Sequence, residues 1–251
     1  MGTSSIFYGN NDRSALLPSD YEGSEENIVS VSWQTVKTDM SKFITSGGTK
    51  GSGRHIIKQY IKAAGGAGKM MNQSSAGLKT ARSIGSMLYN ISTDGIGVTL
   101  DNLGIQFQGK SVSEIFSRLL DVMSPGVNTK EEAAAREAAQ ETLVDLYEYV
   151  EENDMNLECL DHMEPYLMDK AMCKYISSYI WNMMLKDLES RFEKYMDDAA
   201  KTCQMEKDFK DIISSVVKIE FEKKGSLMNN NVTEAISDLS TKCIKALEGM
   251  E

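Results

Sequence analysis

From residue 33 onward, apolar side chains recur every three to four residues, the spacing that places them on one face of an α-helix. Trp33, Val36, Met40, Phe43 and Ile44 predict a first helix over 33–45. Ile56, Ile57, Tyr60 and Ile61 predict a short basic helix. It is bounded by SGGTKGSG at 46–53, which reads as a flexible hinge, and by GGAG at 65–68, which breaks it. Leu78, Ala81, Ile84, Leu88 and Tyr89 predict a helix over 73–91. It contains Gly77 and Gly85. Each weakens a helix by about 1 kcal/mol relative to alanine, and small residues there permit close packing of a neighbour. Residues 92–110 fit either a helical turn around 98–103 or a strand in IQFQ.

Beyond residue 110 the helix starts are explicit. SVSE (111–114) and TKEE (129–132) are capping boxes, in which a hydroxyl accepts from the third helical amide and the glutamate reaches back. The helix from Thr129 opens with alanines and continues through Leu143, Leu146, Tyr147 and Val150. A long helix follows Pro165, with Tyr175, Ile176, Tyr179, Ile180, Met183, Met184 and Leu188 as its stripe. Phe209, Ile212, Ile213, Val216 and Val217 form another stripe. NVTE (231–234) predicts a capped last helix carrying Ile236, Leu239, Cys243 and Leu247. The fold class is mainly α: a multi-helix bundle with a flexible, extended N-terminal tail and at most a minor strand pair around 92–110.

The first thirty residues follow neither period. They mix Gly, Ser, Asn and Asp with Phe7, Tyr8 and the Leu16-Leu17-Pro18 step, and end in acidic residues. Three regions result: a tail at 1–30, a basic helical region at 31–126 and an acidic helical bundle at 127–251.

Composition supports this division. Three prolines and sixteen methionines in 251 residues suit long helices. No run of 18 apolar residues predicts a membrane span, and no basic-then-apolar leader predicts secretion, so a cytoplasmic protein is expected. Cys159, Cys173, Cys203 and Cys243 are widely spaced within helical patterns and read as buried thiols. The net charge of −10 is uneven. Residues 37–82 hold nine Lys/Arg against Asp39 alone, a balance of +8; residues 127–251 hold fifteen against twenty-seven carboxylates, a balance of −12. One reading is a basic layer packed beside an acidic one. The alternative is a nucleic-acid patch at Lys50, Arg54, Lys58, Lys62 and Lys69, although few aromatics interleave with it.

The chemistry-bearing patterns are weak. AAGGAGKMM (63–71) lacks the first glycine and the hydroxyl of a phosphate loop, and reads as a connection between helices. Glu131-Glu132, Glu151-Glu152 and Asp197-Asp198 are adjacent pairs whose side chains diverge by about 100° on a helix, so they read as solvated faces. Cys159 and His162 form a lone C-x-x-H without a second half-site, so no metal and no cofactor is expected. These residues favour a binding or scaffold protein over an enzyme whose site assembles from distant positions. At the N-terminus, removal of Met1 would expose the α-amine of Gly2, which has a pKa near ~8 and is partly neutral and nucleophilic at neutral pH. Myristoylation of that amine requires Ser or Thr where Ile6 stands, and no polybasic stretch adjoins it, which disfavours a lipid anchor.

The opening MGTSS, Gly9 and the Leu16-Leu17-Pro18 step resemble the start of the QatB family, a component of four-gene Qat anti-phage defence systems. The segment LGIQFQGKSVSEIFSRLLDVMSPGVNTKEEAAAREA (103–138) resembles that family's central block. The resemblance implies action beside an ATPase (QatA), a QueC-like enzyme (QatC) and a TatD-like nuclease (QatD). QueC enzymes use ATP to activate a 7-carboxy-7-deazaguanine and join it to ammonia. A relative that takes a protein amine in place of ammonia would form an amide with an N-terminus. The resemblance thus implies Gly2 as acceptor, Thr3, Ser4 and Ser5 (with Gly9 beyond) in the enzyme's channel, and Leu16, Leu17 and Pro18 as an anchor on the partner. Phe7 and Tyr8 depart from the smaller residues usual in the family. The Leu-Leu-Pro step has a second reading, docking on the chain's own helices.

Overall fold

The computed structural model describes residues 31–161, 163–194, 199–225, 227 and 231–250. The described chain runs through α1 (Trp33–Thr45), α2 (Gly53–Ala63), α3 (Gly66–Gln73), α4 (Ser75–Asp94), α5 (Ile96–Asn102), α6 (Val112–Met123) and α7 (Lys130–Glu151). A 3-10 turn at Leu157–Leu160 leads to α8 (Pro165–Lys194), α9 (Ala199–Lys224) and α10 (Val232–Glu248). There is no strand among the described residues, and the mainly α, multi-helix reading holds.

The long α7 and α8 pair most extensively. α9 lies along α8, and α10 packs on α2, α3, α4 and α9. Ala134, Ala135, Ala138 and Ala139 are all fully buried, so the α7 backbone approaches its neighbours closely while α8 supplies the bulk. Trp181 of α8 stacks on Phe209 of α9 with centroids 5.7 Å apart, and Phe43 of α1 meets Phe209 at 5.3 Å. The glycines of α4 serve the close packing anticipated for them. A Cβ on Gly77 would overlap the ring of Tyr179, and one on Gly85 would overlap the Ile236 side chain.

Several local expectations are corrected. In 92–110 the helical reading prevails: Leu103 caps the C-terminus of α5, and Gly104 adopts φ +70°. The Ile105 amide then bonds back to Leu100 O (2.9 Å) and the Gly104 amide to Asp101 O (3.0 Å). This pair of reversed bonds is a Schellman closure, and it uses the backbone groups that a strand in IQFQ would have offered. GGAG ends α2 but does not stay irregular. Gly65 and Gly66 turn at φ +94° and +84°, and α3 begins at once. Asn231 stands at the start of α10 yet its side chain makes no capping bond. Trp33 and Tyr89, read as core-facing, are 38% and 36% exposed, although the Trp33 ring still meets Tyr60 edge-on at 5.7 Å.

Candidate functional site

Gly2, Thr3, Ser4, Ser5, Gly9, Leu16, Leu17 and Pro18, the sequence's first candidate site, lie outside the described residues. So do His162 of the C-x-x-H pattern and the Asp197-Asp198 pair. The second candidate, the basic segment, is described in full. Lys50 is exposed in the turn between α1 and α2; Arg54, Lys58 and Lys62 recur every four residues along α2; Lys69 is exposed on α3. That interval places the three α2 cations on one face, about 6 Å apart along the axis. The buried face of the same helix holds Ile56, Ile57, Tyr60 and Ile61. Lys79 and Arg82, exposed on α4, extend the set. Among the described residues none of these seven cations forms an ion pair. Lys58 Nζ donates to Met250 O (2.7 Å) and Arg82 Nε to Ser237 Oγ (2.9 Å). Lys42, which pairs with Asp39 at 3.4 Å, is the neighbouring exception.

The phosphate-loop-like stretch binds a carboxylate from its own chain. The N-cap of α3 is Gly65, with no side chain to offer, and Glu248 of α10 fills the role: its Oε2 accepts from the Ala67 amide at 3.1 Å. The same device recurs at two more helix starts. Ser74 makes no capping bond to α4, and its hydroxyl donates back to Met70 O (2.8 Å). Glu131, from the first turn of α7, instead accepts from the Ala76 amide (3.0 Å), the Gly77 amide (2.6 Å) and the Tyr179 hydroxyl (2.8 Å). At α5, where Gly95 stands at the N-cap, Asp161 accepts from the Ile96 amide at 2.5 Å. Each carboxylate satisfies amides that a helix start leaves unpaired and meets the positive end of its dipole. The expectation that the Glu131-Glu132 pair is a solvated face is therefore corrected for Glu131. Glu132 turns the other way and closes its own capping box on Thr129 (3.0 Å).

The tyrosines around Glu131 are structural. Tyr175 OH donates to Gly77 O (2.8 Å), and Tyr175 and Tyr179 stack with centroids 6.2 Å apart. Burial pushes both phenols above their ordinary range. Tyr60 donates to Asp187 (3.0 Å) and is raised by burial first and by that carboxylate second. Burial also pushes the Cys173 and Cys243 thiols up to about 12, which suppresses thiolate chemistry at both. Cys203, read as buried, is exposed. Among the described residues no three His, Cys, Asp or Glu side chains stand together as a metal site. A surface hollow of about 380 Å³, unmarked in the sequence, lies between α7, α8 and α9. Its charged lining is largely self-neutralised: Lys174 faces Glu141 (3.8 Å) and Lys210 pairs with Glu206 (2.9 Å).

No helix among the described residues is long and apolar enough to cross a membrane. No curated protein and no solved structure matches the chain. The family model for QatB, described as Qat anti-phage system associated protein QatB, matches residues 65–247. That span runs from the glycine turn before α3 almost to the end of α10 and includes the 103–138 block; the first 64 residues lie outside it. Over well more than half its length, then, this helical body is that of the Qat defence component, and the chain belongs to the QatB family.

Proposed function

We propose that this Qat anti-phage system protein is a non-enzymatic component whose N-terminus is the substrate of a QueC-like partner. Removal of Met1 exposes the Gly2 amine. The partner joins the 7-carboxylate of a deazaguanine to AMP, releasing pyrophosphate from ATP. The neutral amine then attacks the acyl carbon. An amide bond forms, AMP leaves, and the surplus proton of the amine passes to solvent. Glycine suits this role because no side chain hinders the approach. Thr3, Ser4 and Ser5 hydrogen-bond along the channel. Ordering a polar tail costs conformational entropy, and burial of Leu16 and Leu17 beside the stiff Pro18 offsets it. The observation that carries the reading is the Gly-Thr-Ser-Ser opening directly after Met1, joined to a body of the QatB family.

The test is intact-mass and peptide mass spectrometry of the chain co-produced with its QueC-like neighbour. The expected result is a deazaguanine-sized addition on the peptide beginning at Gly2, absent when the neighbour is inactivated. An unmodified Gly2 peptide beside an active partner overturns the proposal. The same experiment with the ATPase and the TatD-like nuclease present asks whether they join the complex.

A further inference from the structure

The helical body carries a cationic face that its own carboxylates leave open. Residues 37–82 hold nine Lys/Arg in a chain with thirty-seven acidic residues, so scarcity of partners does not explain the missing ion pairs. In the acidic half many cations are paired: Arg136 with Asp121, Lys186 with Glu137, Lys223 with Glu220, and Lys224 and Lys242 with Asp238. On α2, α3 and α4 the carboxylates close at hand are engaged elsewhere. Glu248 is turned onto the α3 amide, Asp39 onto Lys42, and Glu131 onto the start of α4. Like charges held on adjacent helices repel, and a polyanion relieves that repulsion.

The character of the face selects the kind of polyanion. Protein interfaces are anchored by large apolar or aromatic side chains. Among the described residues, α2 and α3 expose none, whereas α4 exposes Tyr89 two turns beyond Arg82. Single-stranded nucleic acid is held by stacking on aromatics, which α2 and α3 also lack. A double helix needs neither, because its phosphate backbone is bound by Lys and Arg alone. We infer that the α2–α3 face, through Arg54, Lys62 and Lys69, binds the phosphate backbone of duplex DNA without reading sequence. Lys58, Lys79 and Arg82 are left out of that set: the Lys58 ammonium already holds the Met250 carbonyl, Arg82 Nε holds Ser237 Oγ, and Lys79 lies within charge reach of the Glu132 carboxylate. This inference is independent of N-terminal modification and concerns the unmodified chain.

The experiment is fluorescence anisotropy of a short labelled DNA duplex of mixed sequence, titrated with the full unmodified chain between about 50 and 200 mM salt. Binding is expected with log K falling linearly in log salt at a slope of roughly −3, one phosphate per cation. In the triple variant Arg54→Glu, Lys62→Glu and Lys69→Glu, the slope should flatten by about 3 and affinity at low salt should drop at least ~10-fold. Single Arg54→Glu and Lys62→Glu variants, each flattening the slope by about 1, stand in if the triple variant fails to fold. No binding at the lower salt, or unchanged binding by folded variants, overturns the proposal. So does a concentration-dependent self-association, seen by ultracentrifugation in place of DNA binding and abolished by the same substitutions. That last result would mean that the face meets the acidic half of a second copy.

Discussion

Two groups of helix starts in this body are built by opposite means. α6 and α7 cap themselves: Ser111 with Glu114 and Thr129 with Glu132 close reciprocal bonds within four residues. α3, α4 and α5 are capped from afar, by Glu248, Glu131 and Asp161, which lie between 54 and 181 residues away in sequence from the amides they accept. A local cap stabilises one helix and would do so in an isolated peptide. A remote cap exists only once two helices have docked, so it couples the formation of a helix to the assembly of the bundle. The region matched to the family model contains the remote contacts at α4 and α5 in full, whereas Glu248 falls one residue past its end.

Glu131→Ala should be the most damaging of the substitutions that probe this difference. It strips the acceptor from two amides and the Tyr179 hydroxyl at a part-buried junction of α4, α7 and α8. Leaving such groups unpaired costs roughly 1–3 kcal/mol each before relaxation, so a net loss of about 3 kcal/mol is expected in urea unfolding. Glu131→Gln should restore only part, because its NH₂ must replace one of two accepting oxygens. A loss below about 1 kcal/mol for the alanine variant would mean that water takes over these amides and that the coupling is slight. Gly77→Ala comes next. Its Cβ would force the Tyr179 ring away and with it the hydroxyl bond to Glu131. We expect about 2 kcal/mol of destabilisation, despite the ~1 kcal/mol that alanine returns in helix propensity. Gly85→Ala should be milder, since the obstacle there is the flexible end of Ile236.

Thr129→Ala tests the local kind and should cost about 1 kcal/mol, with the loss confined to the first turn of α7 in hydrogen exchange. Acid should reproduce it. The Asn128 amide, with help from Thr129, holds the Glu132 carboxyl below the usual glutamate range, and the Ser111 amide does the same for Glu114. A depressed carboxyl contributes stability above its unfolded pKa and loses it as pH falls through the folded one. The Thr129→Ala penalty should therefore shrink once the pH drops below the ordinary glutamate range. A penalty independent of pH would separate the two arms of the box.

This contrast also explains what could be read from residue order. Both self-capping boxes, the long stripes of α7 to α9 and the packing use of Gly77 and Gly85 were legible, because each depends on residues within one or two turns or on bare size. The Schellman closure at Gly104 was not, since IQFQ alternates like a strand and only the neighbouring Leu100 carbonyl decides the matter. Nor were the roles of Glu131, Glu248 and Asp161. Their partners are distant backbone amides, which have no letter of their own. The available hint was negative: α3 and α5 begin at glycines, and a helix start without a capping side chain must find its acceptor elsewhere. Of the candidate sites, the cationic face was legible as composition, while its lack of ion pairs required the fold. The Gly2 reading rests on residue order throughout.

The smallest expected effect asks whether a remote carboxylate acts through charge or merely as an acceptor. Asp169 of α8 accepts from the Leu227 amide at 3.2 Å. Unlike Glu132, its carboxyl is raised, because burial outweighs that one bond. A raised carboxyl favours the protonated form on folding, so ionised Asp169 is a burden at neutral pH, relieved as pH falls through its folded value. Asp169→Asn keeps an oxygen for the Leu227 amide and removes the charge. It should be neutral or slightly stabilising at pH 7, within about 0.5 kcal/mol, and its difference from the parent should vanish in acid. A clear destabilisation at neutral pH would show that the negative charge itself holds Leu227. The remote contacts would then work as ion–dipole clamps, and Glu131→Gln should in that case fare nearly as badly as Glu131→Ala.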